Sequence, residues 1–262
     1  MKQRNSSIRL APIILIGCMI IMSIIFIGCG KANPVVEAQP EPIQPAAPAV
    51  QSPPEDSADE VVEQSNEPVT APETANYTIT FNASWSAETH TDFYVSNAHF
   101  SPFVAFSHNS EPEGHVFEIG GTASQGIEEM AETGETGLLE VELQSRVTSG
   151  YILAWIKGRV FDSPGSDQAI LDFTQSHSQF IFVSMIAPSP DWFVAVEANL
   201  FDGEEWSDEM VLEVVSFDAG TDSGSNLTSA DVDTKPQEPV SVFPEFLQHL
   251  GTVTLTLNPS DS

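Results

Sequence analysis

Apolar and polar side chains alternate with a period of two in several short runs, the spacing of a strand with one face buried. In Tyr77–Ala83 the apolar set is Tyr77, Ile79, Phe81 and Ala83, separated by Thr78, Thr80 and Asn82. Gly251–Leu257 repeats the pattern with Val253, Leu255 and Leu257. Leu138–Gln144 sets Leu139, Val141 and Leu143 against Glu140, Glu142 and Gln144 and predicts an edge-like strand. Phe180–Ala187 is apolar almost throughout, as expected of a strand covered on both faces. Phe193–Val196 and Met210–Phe217 add two more strands, and Val116–Ile119 a short one before Gly120-Gly121. Phe93–His115 is aromatic-rich but irregular, and Asp162–Asp167 reads as a loop. Only Gln125–Thr133 carries a helical period. There Ile127, Met130 and Ala131 share a face, Glu128 and Glu129 sit where the helix dipole favours acids, Ser124 can cap the start and Gly134 can close the end. Gly126 weakens its first turn. About eight short strands, one short helix and long polar loops predict an all-β, antiparallel two-layer sandwich.

The N-terminal pattern is different. Lys2, Arg4 and Arg9 precede a nearly pure apolar run over residues 11–27, the layout of a secretion signal. The run approaches the length of a membrane-spanning helix, which is the alternative. Its ending, Gly28-Cys29, resembles the lipobox of bacterial lipoproteins, in which Cys29 becomes the lipidated N-terminus of the mature chain. Phe26 is not the usual aliphatic residue of that motif. Residues 31–75 then hold nine prolines and nine acidic residues, with no aromatic side chain. Such a stretch cannot bury enough surface to offset the entropy of ordering it, and its Pro/Ala alternation favours an extended spacer. The expected organisation is a leader over 1–28, a Pro/Glu-rich tether over 29–75 and a folded domain over 76–262.

Charge narrows the choice of partner. The 262 residues include 38 acidic and eight basic side chains, for a formal net charge of −30. Three of the eight basic residues are in the leader. A field of that sign repels nucleic-acid phosphates and anionic head groups and attracts cations. The two cysteines, Cys18 and Cys29, lie in the leader and at its proposed cleavage site, so the mature domain has no internal disulfide.

Two stretches suggest chemistry. Pro188-Ser189-Pro190-Asp191-Trp192 frames a carboxylate at the entry to an apolar strand. Asp218-Ala219-Gly220-Thr221-Asp222-Ser223-Gly224 places two carboxylates four residues apart around a glycine. A loop can curl so that both face one point, where their repulsion would be relieved by a hard cation, and Asp191 is the natural third ligand. The competing reading is that these aspartates only form Asx-turns beside glycine and proline.

Both stretches, together with His99-Phe100-Ser101-Pro102 and residues 117–132, resemble the spondin N-terminal domain found in F-spondin- and mindin-like proteins. The resemblance covers about residues 77–233. It implies an eight-stranded β-sandwich like that of C2 domains, and a divalent cation, usually taken as calcium, held at the positions of Asp191, Asp218 and Asp222. It also implies a binding or adhesion module, with an unidentified protein or glycan as partner. Ala195 stands where the family commonly has glycine, and the disulfides of the animal proteins cannot form here.

Trp192 is either a core residue anchoring its loop or a platform for a ligand. His99 orders the entry to Ser101-Pro102. His90, His99, His108 and His115 lack the spacing of a zinc site. No nucleophile elbow or phosphate loop is present, so no catalytic residue is assigned. The alternatives to a binding module are a purely structural envelope module and a metal-dependent hydrolase.

Overall fold

The computed structural model of the protein describes residues 70–243 and 248–259. The leader, Cys29 and the tether up to Val69 lie outside them. Twelve strands are described: β1 (Thr74–Ala83), β2 (His99–Phe100), β3 (Val104–His108), β4 (Ile152–Lys157), β5 (Phe161–Asp162), β6 (Gly165–Thr174), β7 (Gln179–Ala187), β8 (Trp192–Asn199), β9 (Glu209–Glu213), β10 (Val215–Asp218), β11 (Ser241–Val242) and β12 (Gly251–Leu257). Two α-helices, α1 (Gln125–Thr133) and α2 (Gly137–Thr148), lie between β3 and β4 in the chain. All strand pairs are antiparallel. One sheet runs β6-β1-β12-β9; the other runs β11-β10-β8-β7-β2-β5, with β3 also paired to β7 and β4 to β3.

The predicted all-β sandwich is therefore the architecture. Its main core lies between the sheets, where Tyr77, Ile79, Phe81, Val253 and Leu255 of the smaller sheet meet Phe100, Phe180, Phe182, Trp192, Val194 and Val196 of the larger. Phe81 alone meets Phe100, Phe161 and Phe182 edge-on. The other face of the larger sheet forms a second core. There Val104, Phe106, Ile181, Val183, Met185, Phe193 and Ala195 pack with Ile127, Met130, Leu139 and Leu143 of the helices. This double cover explains the unbroken apolar run of β7: even-numbered residues face the smaller sheet and odd-numbered ones the helices.

Several predicted elements are corrected. Residues 138–144 form α2, not a strand. Leu139 and Leu143 are buried, whereas Val141 between them is 67 % exposed. Spacing i, i+4 satisfies both a strand and a helix, and the good helix formers Leu, Glu, Gln and Arg decide the outcome. Residues 116–119 are irregular. Met210–Phe217 is two strands in different sheets: the chain crosses at buried Val214, whose N–H donates to the Gly251 carbonyl at 3.1 Å. The expected loop at 162–167 is shorter: Asp162 ends β5 and residues 165–167 begin β6.

The two helices satisfy each other's exposed N-terminal donors. Glu142 Oε1 accepts from Gly126 N at 2.8 Å, and Glu129 Oε2 accepts from Leu138 N at 2.8 Å. Ser124 caps α1 by accepting from Ile127 N, and Gly134 ends it at φ 74°. Gly126, a weak helix former, is there for contact: a Cβ on it would lie 2.6 Å from Leu139 Cα. Gly126→Ala must push the helices apart and is expected to cost about 1–3 kcal/mol in urea unfolding. Gly137→Ala, whose added carbon meets nothing nearer than 3.8 Å, is the matched control. Among the described residues no helix is long and apolar enough to cross a membrane.

Candidate functional site: an acidic loop pair at one end of the sandwich

The register of β8 on β10 builds the site. Trp192 pairs with Asp218, so the residues just outside the ladder, Asp191 and Ala219, are brought together, and Ala219 N donates to the Asp191 carbonyl at 3.1 Å. The side chain of Asp191 then enters the loop after β10. Its Oδ2 accepts from Thr221 N at 2.7 Å, from Asp222 N at 3.1 Å and from Thr221 Oγ1 at 3.4 Å. Asp191 is 0 % exposed, and its Oδ1 has no hydrogen-bond partner. A buried carboxylate oxygen left unpaired is costly and rare.

Asp218 and Asp222 stand on the same loop. Burial, and then the charge of Asp191, push the Asp218 carboxyl up to about 6, although Gly220 N donates to its Oδ1 at 2.8 Å. Burial also raises Asp191, with Asp222 adding to the effect and the Asp222 and Thr221 donors opposing it. Asp222 places Oδ1 on Gly224 N at 2.6 Å and Oδ2 on Val232 N. It thus braces its own loop in the manner of an Asx-turn. The three aspartates come to one end of the fold, but among the described residues no three His, Cys, Asp or Glu side chains are placed to hold an ion as they stand.

Glycines let the loop pack. Gly220 takes φ 74°, its carbonyl accepts from Glu238 N at 2.8 Å, and a Cβ there would lie 2.2 Å from the Glu238 carbonyl oxygen. A Cβ on Gly224 would lie 2.5 Å from Pro190 Cγ, so the two loops touch directly.

Trp192 is 2 % exposed and its ring centroid lies 4.5 Å from that of Phe243. It belongs to the main core, and its N–H is held by Ser189 Oγ at 3.1 Å. Its indole Nε1 has no hydrogen-bond partner. His99 pairs across β2 with Ala187, next to the Pro188 loop, but its Nδ1 donates to the Asn97 carbonyl at 2.8 Å. One residue that the sequence reading did not single out also faces the cluster. Burial pushes the carboxyl of Glu132, on α1, up, and the charges of Glu128, Asp231 and Asp191 add to that. Helical period alone gives no sign of this, because Glu132 reads as one more solvated acid.

His108 lies apart from these loops, buried against Gly114 and 4.9 Å from the His115 ring. Burial and then His115 push it down to about 4. The unfolded chain, with histidine near 6.5, binds more protons than the fold between those values, so His108 makes the fold less stable as pH falls from 6.5 to 4. The loss amounts to roughly 3 kcal/mol. Asp191 and Asp218 act in the opposite sense, because their folded values are raised. The contribution of His108 is therefore read as the difference between wild type and His108→Leu, whose stability should fall less over that window in chemical denaturation.

The fold and these loops define a two-sheet module with a helical hairpin on one face and a buried acidic cluster at one end. The chain belongs to the spondin N-terminal family, whose model, Spondin_N, matches residues 75–249. It is 33 % identical to human spondin-2 over 177 residues, which are 64 % of this chain and 52 % of that protein. Rat spondin-2 is 32 % identical over 182 residues, and bovine spondin-1 is 31 % identical over 177. The chain thus spans about half the length of spondin-2 and about a fifth of spondin-1.

Proposed function

We propose that this chain is an extracytoplasmic binding module, anchored to the cell envelope through lipid on Cys29, whose loop end is held by a divalent cation, Ca²⁺. The observation that carries the cation is the Asp191 carboxylate, fully buried with Oδ1 unpaired, beside Asp218. The donor set is all oxygen and crowded with like charge, which suits a hard ion. Asp191 and Asp218 would hold it, with Asp222 joining by giving up one of its loop hydrogen bonds. When bound, the ion supplies positive charge that offsets the repulsion among these groups. Asp191 would then fix the loop after β10 through its backbone contacts, presenting a set surface to a protein or glycan partner. Family membership and the net charge of −30 support a binding role outside the cytoplasm and argue against nucleic acid as the partner.

A structural envelope module is the second reading. It is favoured by the burial of Trp192, which leaves no aromatic platform at that position. Melting of the chelated full chain, with and without millimolar Ca²⁺, tests the cation in either case. At a hundredfold excess over Kd the ion adds about 2.7 kcal/mol, or roughly 5–10 °C for a domain of this size. No change in melting with Ca²⁺ or Mg²⁺ would sink the cation. Glycan arrays and envelope extracts probed with the calcium-loaded chain separate binding from scaffolding, and silence in both leaves the structural reading.

A further inference from the structure

We propose that a groove at the foot of the sandwich, opposite the acidic loops, is a seat for the residues just ahead of Thr70, Pro68 and Val69. The seat is independent of the proposed function. Its consequence, that the acidic loops are the end turned away from the anchoring surface, rests on lipid at Cys29.

Strand order fixes the two ends. β6 finishes at Thr174 and β7 starts at Gln179, joined across the Thr174–His177 bridge, so both lie at the foot. β1 starts there too, because Thr74 pairs with Thr174. β7 then runs nine residues to Ala187, and Met185 near its far end pairs with Phe193, two residues after Asp191. At about 3.3 Å per residue, the foot and the acidic loops are roughly 25–30 Å apart.

The chain enters at the foot under restraint. Trp206 Nε1 donates to the Pro72 carbonyl at 2.8 Å. Gln175 Nε2 donates to the carbonyls of Ala71 and Pro72 at 3.3 Å each, and Gln175 N to that of Glu73 at 3.0 Å. Trp206 is itself held against Tyr77 and Phe201. Aromatic grooves take proline-bearing chain in this way because the extended form has little entropy left to lose.

The groove is lined by Thr70, Ala71 and Pro72 together with Leu153 of β4 and Ile170 and Phe173 of β6. Its volume of about 1230 Å³ is more than a small-molecule cleft needs and suits a chain segment. Leu153 and Ile170 are 36 % and 58 % exposed, apolar surface that such a segment would cover.

Continuity and charge select the occupant. Thr70 is the first described residue and already lines the groove, so Val69 starts one Cα step of about 3.8 Å away. Residues 68–72 are an uncharged run between Glu67 and Glu73. The charged side chains of the groove are Asp172, Glu205 and Asp208, all acidic. They repel Glu67 and leave Pro68 and Val69 as the part that can stay. A second copy, with the same net charge of −30, is disfavoured on the same ground. Any other segment must compete with one that is covalently present at high effective concentration.

The test uses the purified full chain. A benzophenone side chain at position 69 is expected to crosslink, within one chain, to residues 152–155 or 168–174, located by mass spectrometry. The same group at position 62 should give no product there. Val69→Asp places a fourth acid in the groove and uncovers Ile170, and should lower the melting point by about 2–5 °C, whereas Val62→Asp melts as wild type does. Products only between copies or with a second protein overturn the seat. So does the absence of any groove product together with an unchanged melting point for Val69→Asp. A mature N-terminus without lipid removes the consequence for the loops and leaves the seat standing.

Discussion

Asp191→Ala and Asp191→Asn should behave in opposite ways. Alanine removes the acceptor for Thr221 N and Asp222 N, two donors that sit in a closed loop. Each stranded donor costs about 1–3 kcal/mol. Part of that is returned because a buried charge disappears, leaving a net loss of roughly 2–4 kcal/mol. Asparagine keeps an oxygen for both donors and places an amide where Oδ1 had no partner. Its cation-free stability should match or exceed wild type, since the repulsion felt by Asp218 is relieved. Both variants should lose all stabilisation by Ca²⁺. Urea melts of the three proteins, each in chelator and in Ca²⁺, separate the two effects. An Asn variant as unstable as the Ala variant would show that the loop depends on the charge of Asp191, not on its role as acceptor.

Gly220→Ala should damage the same loop without touching a carboxylate. The left-handed φ of 74° costs an alanine about 1–2 kcal/mol. The larger penalty is steric: the new carbon would lie 2.2 Å from a backbone oxygen of Glu238, which cannot rotate away as a flexible side chain would. Together the expected loss is about 3 kcal/mol or more. Because the Glu238 N–H to Gly220 carbonyl bond must also lengthen, Ca²⁺ affinity should fall with stability. Gly203→Ala, at φ 103° with open space around its Cβ position, isolates the backbone cost. Equal losses at the two positions would mean that the Glu238 contact contributes nothing.

Much of the fold was legible because period and burial agree. β1 and β12 bury alternate residues against one core, and their sequences alternate accordingly. β7 is covered on both faces and is apolar throughout. Reading failed where the same residues satisfy two geometries. Leu139 and Leu143 fit a strand or one turn of helix, and only the exposure of Val141 separates them, which depends on where the second core lies. Met210–Phe217 looks continuous because apolar positions persist through it, yet Val214 is the crossing between sheets, a tertiary event with no local mark. β2 and β5, two residues each, are too short to carry a period.

The site divides in the same way. Glycine, proline and aspartate at fixed offsets marked both loops, and the β8–β10 register brings Asp191 to the loop of Asp218 and Asp222. The internal bracing of Asp222 and the approach of Glu132 were not legible. The first depends on which N–H groups the loop presents, and the second on a helix docked from more than eighty residues away. One acid among 38 carries no signal until the fold selects it.

The proposed cation site turns on the unpaired oxygen of Asp191 facing an ion. Crystals of the chain soaked in terbium, a Ca²⁺ mimic with a strong anomalous signal, test it most directly. An anomalous peak is expected within coordination distance of Asp191 Oδ1 and an Asp218 oxygen. A map with no peak there, and with Oδ1 hydrogen-bonded to an ordered water or to a protein donor, would contradict it.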